Sequence, residues 1–175
     1  MKVSFLMIMF SSFWVFGQSK TEVSDKKYYV RKFVQRTDNL TAEAALELAG
    51  RIREAASAKE KSVSIAILDA SGTTLLLLRG NGVGPHNTEA SRKKAYTALS
   101  TKTPTLLLLR NAEQHPDTKN LNTFSDLLLL SGGVPIWYKN NIIGSVGVSG
   151  GGSPENDDWI AKSASIPELG ISASK

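Results

Sequence analysis

The sequence predicts an α+β domain, an antiparallel sheet with helices packed on its faces. Three observations carry that expectation. Two hairpins are written in turn chemistry, Asp69-Ala70-Ser71-Gly72 and Lys139-Asn140-Asn141, each between short β-rich runs. Two helix starts are written in capping chemistry, at Thr41 and at Ser153-Pro154. These elements fall in the order helix, hairpin, helices, hairpin, helix, and sequential hairpins make antiparallel pairs.

The first helix is predicted over 42–59. Thr41 caps it, Glu43 suits its positive end, and Ala45, Leu48, Ala49, Ile52, Ala55 and Ala56 form one apolar stripe. Strands are predicted over 63–68 and 73–79. The four leucines at 75–78 are apolar on both faces, so the second strand is expected to be central and covered. A glycine turn, Gly80-Asn-Gly-Val-Gly84, then leads to a helix over 88–100 with Asn87 or Thr88 as cap, and Pro104 opens a short helix to about Asn111. Residues 115–122 carry turn chemistry and little periodicity, which reads as a loop. Strands over 134–138 and 142–148 flank a turn in which the paired asparagines tolerate positive φ. The last helix begins with Pro154 after Ser153, with Glu155, Asp157 and Asp158 in its first turn, where carboxylates complement the helix dipole. The four-leucine runs at 75, 106 and 127 are unevenly spaced and read as core, not as repeats.

Composition narrows the function classes. The 175 residues suit one domain and one site. Cysteine is absent, which excludes disulfides, thiolate nucleophiles and thiolate-bound metals. The net charge of +5 is spread along the chain with few interleaved aromatics, which argues against nucleic acid. Met1-Lys2 followed by an apolar run from Val3 to Phe16 and the small residues Val15 and Gly17 reads as a signal peptide over 1–17, cleaved after Gly17. The expected product is secreted or periplasmic with no stable membrane anchor. Residues 18–39 form a polar extension, and 40–175 a single domain.

Several motifs bear on chemistry. The glycines at 80, 82 and 84 precede a helix N-terminus, a place where backbone N–H groups receive anions. Pro85 breaks the dinucleotide fingerprint, and no Gly-Lys-Ser/Thr follows for a phosphate loop. Gly147-Val-Ser-Gly-Gly151 matches a nucleophile elbow in letters, but its helix starts at Pro154 instead of at the serine. His86 and His115 are the only histidines and have no zinc spacing, so no metal site of that kind is expected; each sits where it could act as acid, base or iron ligand. Lys94, flanked by Ala95 and Ala98, is a candidate to pair with an acidic ligand or to extend its ammonium to water.

Three segments together resemble the GlcG/HbpS family of small heme-binding, sometimes called heme-degrading, proteins: Ile65-Ala-Ile-Leu-Asp-Ala-Ser-Gly72, Gly80 to Ala98 with Lys94-Ala-Tyr-Thr-Ala98, and Gly132-Gly-Val-Pro-Ile136 with Ile143 to Gly151. The likeness runs from about Leu40 to about Ala164 and is greatest to the secreted members. It implies a profilin-like α/β sandwich with about five strands, homo-oligomers, and heme as ligand. The cofactor-site candidates are the shared Gly82 and Gly84 of the glycine loop, Lys94, Gly132, Gly133 and Pro135, with His86 and Asn87 beside the loop, and His115 and Thr118 added for iron or propionate contact. The second helix has Glu89-Ala-Ser-Arg92 in place of the family's paired acids, so iron binding of that kind is not expected. The first reading is an exported heme-binding protein, for sequestration or sensing. The others are an enzyme acting on a small anionic metabolite through Lys94 and His86, and a non-catalytic oligomeric scaffold for a partner protein.

Overall fold

A computed structural model describes Val30 and residues 32–174, so the expected signal peptide and most of the extension lie outside the described residues. The chain divides into two compact units, 1–36 and 37–175. Of the first, the described part is a helical turn in which the Val34 N–H donates to the Val30 carbonyl. The second holds every element described below.

Helix α1 (Ala42–Ser57) is capped by the Thr41 hydroxyl, which accepts the Ala44 N–H. Strands β1 (Ser64–Asp69) and β2 (Thr74–Arg79) follow, then α2 (His86–Thr101), α3 (Thr105–Gln114) and the one-turn α4 (Pro116–Lys119). Strands β3 (Gly133–Tyr138) and β4 (Asn141–Ser149) form the second hairpin; α5 (Pro154–Lys162) and the short β5 (Ile171–Ser172) end the unit. The sheet runs β2-β1-β4-β3-β5 with every pair antiparallel.

The two faces of the sheet are built differently. Ile65, Ile67, Val134, Ile136, Val146 and Val148 point to one side and meet Leu48, Ile52 and Ala56 of α1 and Ile160 and Ala161 of α5 in a conventional apolar core. On the other side the alternate positions are small, with Ala66, Gly133 and Gly147, and α2 lies directly on them. A β-carbon at Gly147 would overlap the Ser91 carbonyl oxygen and stand 2.7 Å from the Ala95 nitrogen. One at Gly133 would overlap the Lys94 carbonyl. Glycine is therefore what lets the α2 backbone touch the sheet.

Several expectations are corrected. Strand β2 is an edge, not central, because β1 takes β4 as its other neighbour; Leu77 and Leu78 are exposed. A continuous apolar run looks the same whether the outer face is covered or open. Helix α1 stops at Ser57, and the chain turns through Glu60 at φ 54°. Helix α2 starts at His86 with Pro85 as cap, so neither Asn87 nor Thr88 caps it. Helix α3 runs past Asn111 to Gln114, and residues 116–123 are helical instead of a loop, because Pro116 supplies the fixed φ of a first helical residue. In the β3–β4 turn it is Lys139 that takes positive φ.

Candidate functional site

The sequence candidates separate into two places. The first lies where the glycine turn enters α2. Gly82 takes φ 76° in open space, and the His86 ring lies back against Gly84. The Asn87 amide donates to the Gly84 carbonyl at 3.3 Å, while its oxygen accepts the Ser149 hydroxyl at 2.8 Å. Asn87 thus ties the turn to the end of β4.

Lys94 extends that tie inward. It is 3 % exposed. Its ammonium donates to the Val148 carbonyl at 3.0 Å, the Ser149 hydroxyl at 3.2 Å and the Asp157 carboxylate at 2.8 Å. An ammonium has three donors, so all are committed within the protein. The other Asp157 oxygen accepts the Gly151 N–H at 2.6 Å. Burial pushes the Lys94 ammonium below the usual lysine range, against the pull of Asp157. Asp157, read in the sequence only as a helix-start residue, is the partner; a separation of 63 positions left no local signal.

Gly132, Gly133 and Pro135 are buried beside this network. A β-carbon at Gly132 would stand 2.8 Å from the Asp157 β-carbon, the Gly133 N–H donates to the Thr105 hydroxyl at 2.8 Å, and Pro135 sits in β3 opposite Ser145. At the two glycines, protein atoms fill the space that a side chain would take.

The second place is a cleft of about 510 Å³ at the end of α3. Leu109, Ala112 and Pro116 form its apolar wall; Glu113, Gln114, Lys119 and Asn122 supply its polar rim, and His115 lies between them. The His115 backbone is fixed, its N–H donating to Asn111 and its carbonyl accepting from Lys119, while its exposed imidazole engages no other described residue. Thr118 is half-buried on α4 and does not line the cleft, nor do His86, Lys94 or the glycines. An unengaged imidazole, an apolar wall and a rim cation suit a large planar ligand that carries acidic groups and offers a metal for the imidazole. In the fourth-to-seventh residues of α2, Arg92 pairs with Glu89 at 2.7 Å, so that acid already has a cation.

Among solved structures, the crystal structure of HbpS is 34% identical, with TM-score 0.70, over 76% of this chain and 92% of that one. The crystal structure of a PduOC:heme complex is 27% identical, with TM-score 0.67, over 78% of this chain and 99% of that one. An uncharacterised 15.0 kDa protein of Citrobacter freundii is 27% identical over 132 residues, 74% of this chain and 92% of its own length. The model of the family described as "Haem degrading protein HbpS-like" matches residues 40–165, nearly the whole second unit, and the chain belongs to that family.

Proposed function

We propose that this chain binds heme in the α3–α4 cleft, with His115 facing the iron and Lys119 facing a propionate. The observation that carries the reading is the unengaged His115 imidazole on a cleft of about 510 Å³ with an apolar wall. The family membership and the similarity to a heme complex support it. Heme, when bound, supplies an iron with open coordination. This chain's own part is to present an imidazole nitrogen, exclude water with Leu109, Ala112 and Pro116, and balance acidic groups at the rim.

Export belongs to the same proposal, supported by the apolar run at 3–16 and the small residues before the polar segment. A heme protein outside the cytoplasm would sequester or sense heme. Self-association is supported by the exposed Leu77 and Leu78 on an edge strand. The enzymatic reading loses its charge, since Lys94 is already neutralised by Asp157.

Hemin titration tests the reading. Saturable binding with a shifted Soret band is expected, weakened about tenfold or more in His115→Ala and hardly changed in His86→Ala. A flat titration, or equal affinity in His115→Ala, would overturn it.

A further inference from the structure

The end of α1 and the start of the glycine turn enclose a second hollow, of about 180 Å³, whose chemistry is the reverse of an apolar cleft. Its polar lining is Arg53 and Ser57 of α1 and Lys61 and Ser62 of the turn that follows; no carboxylate lines it. Arg51, Arg92 and Arg110 are each paired with a glutamate. Arg53 and Lys61 have no such partner among the described residues, and neither serine hydroxyl is engaged by one. Two exposed cations and two exposed hydroxyls therefore line one hollow with no carboxylate among them.

A helix C-terminus ordinarily repels anions, because its last carbonyls are unsatisfied. Here three of the last four are engaged. The Ala56 carbonyl accepts the Lys59 and Lys61 N–H groups at 3.0 and 2.9 Å, that of Glu54 accepts Ala58 at 2.9 Å, and that of Ser57 accepts Glu60 at 2.9 Å. Gly80 closes the floor: a β-carbon there would overlap the Ser62 hydroxyl and stand 2.7 Å from the Val63 carbonyl, so glycine is what admits Ser62 to this position. The glycine at the head of the turn thus belongs to the hollow, while those at 82 and 84 do not line it.

We propose that this hollow binds a small oxyanion, held by the Arg53 fork and the Lys61 ammonium with the Ser57 and Ser62 hydroxyls as further donors. A guanidinium fork matches both carboxylate and phosphate, and charge-assisted bonds to either are the strong ones. The hollow shares no residue with the His115 cleft, so the inference stands apart from heme.

Isothermal titration of the whole chain with inorganic phosphate, and in a parallel arm with acetate, tests it in chloride buffer at fixed ionic strength. Saturable one-per-chain binding of at least one anion is expected, weakened about tenfold or more in R53Q/K61Q, with hemin binding and melting temperature unchanged. Phosphate in preference to acetate would identify a phosphoryl group as the ligand, and the reverse a carboxylate. Absence of saturable binding in both arms, or undiminished affinity in the double variant, would overturn the proposal.

Discussion

Gly147→Ala probes the central architectural claim, that α2 rests by its backbone on the sheet. Gly147 lies in β4 opposite both Ala66 and Gly133, in the middle of the contact. An added methyl would overlap the Ser91 carbonyl oxygen and come within 2.7 Å of the Ala95 nitrogen and 2.9 Å of the Ser91 carbonyl carbon. All three are backbone atoms in the body of α2, so no rotamer change relieves them. Non-bonded heavy atoms rest near 3.5–4.0 Å, so the helix must lift on the order of 1 Å. Lifting it also strains the Lys94–Asp157 pair, which is 2.8 Å long. Overpacking that forces side-chain and backbone shifts costs about 1–3 kcal/mol, and with only backbone to yield here the effect falls at the upper end, about 3 kcal/mol. At about 2–4 °C per kcal/mol for a chain of this size, the melting temperature should fall by about 6–12 °C. Gly50→Ala is the control: in mid-α1 with nothing within 4 Å, it should stabilise by about 0.5–1 kcal/mol. Circular-dichroism melts of the three proteins decide it. A Gly147→Ala protein melting within about 2 °C of the unsubstituted chain would refute the packing.

Lys94→Met should cost about 3–5 kcal/mol, because it leaves the Asp157 carboxylate buried without its cation. The double variant Lys94→Met/Asp157→Asn should recover part of that loss; urea midpoints that add without coupling would contradict the pairing. Since burial holds the Lys94 ammonium below its ordinary 10.5, the unfolded chain binds more protons between that lowered value and 10.5. Stability should therefore rise with pH across that window, and Lys94→Met should remove the rise. At Asp69 burial would raise the carboxyl, but the hydrogen bonds from Ser71, Thr73 and Asn39 prevail and hold it below 3.8, so stability rises with pH there too. Its contribution is present above 3.8 and lost as pH falls through the lowered value, so Asp69→Asn should flatten the acid limb of the stability curve.

The elements that could be read from the sequence are those whose cause is local. Thr41 and Ser153 cap α1 and α5 through side chains three residues from their donors, and that spacing is visible in one dimension. The apolar run from Val63 to Leu68 likewise marked β1, though not which of its two buried faces meets α1. Helix α2 was harder, because its buried residues are Ser91, Lys94, Ala95, Thr97 and Ala98, a stripe with almost no hydrophobic signal. Its burial rests on the sheet's small residues and on hydrogen bonds such as the Leu128 N–H to the Thr97 hydroxyl at 2.8 Å.

The same fact accounts for the glycines. A missing β-carbon has one physical meaning, that another atom approaches closely, and the sequence cannot say whether that atom belongs to a ligand or to the protein. At Gly133 and Gly147 it is the backbone of α2, at Gly80 it is Ser62, and at Gly82 nothing lies within 4 Å. Four glycines that look alike in the sequence thus serve helix packing, the floor of a polar hollow and an open turn. Only the placement of their neighbours distinguishes them, and at Gly133 and Gly147 that neighbour is α2, whose buried residues show no amphipathic face. The cleft at His115 escapes this ambiguity because its signal is a side chain with no partner among the described residues, not a side chain that is absent.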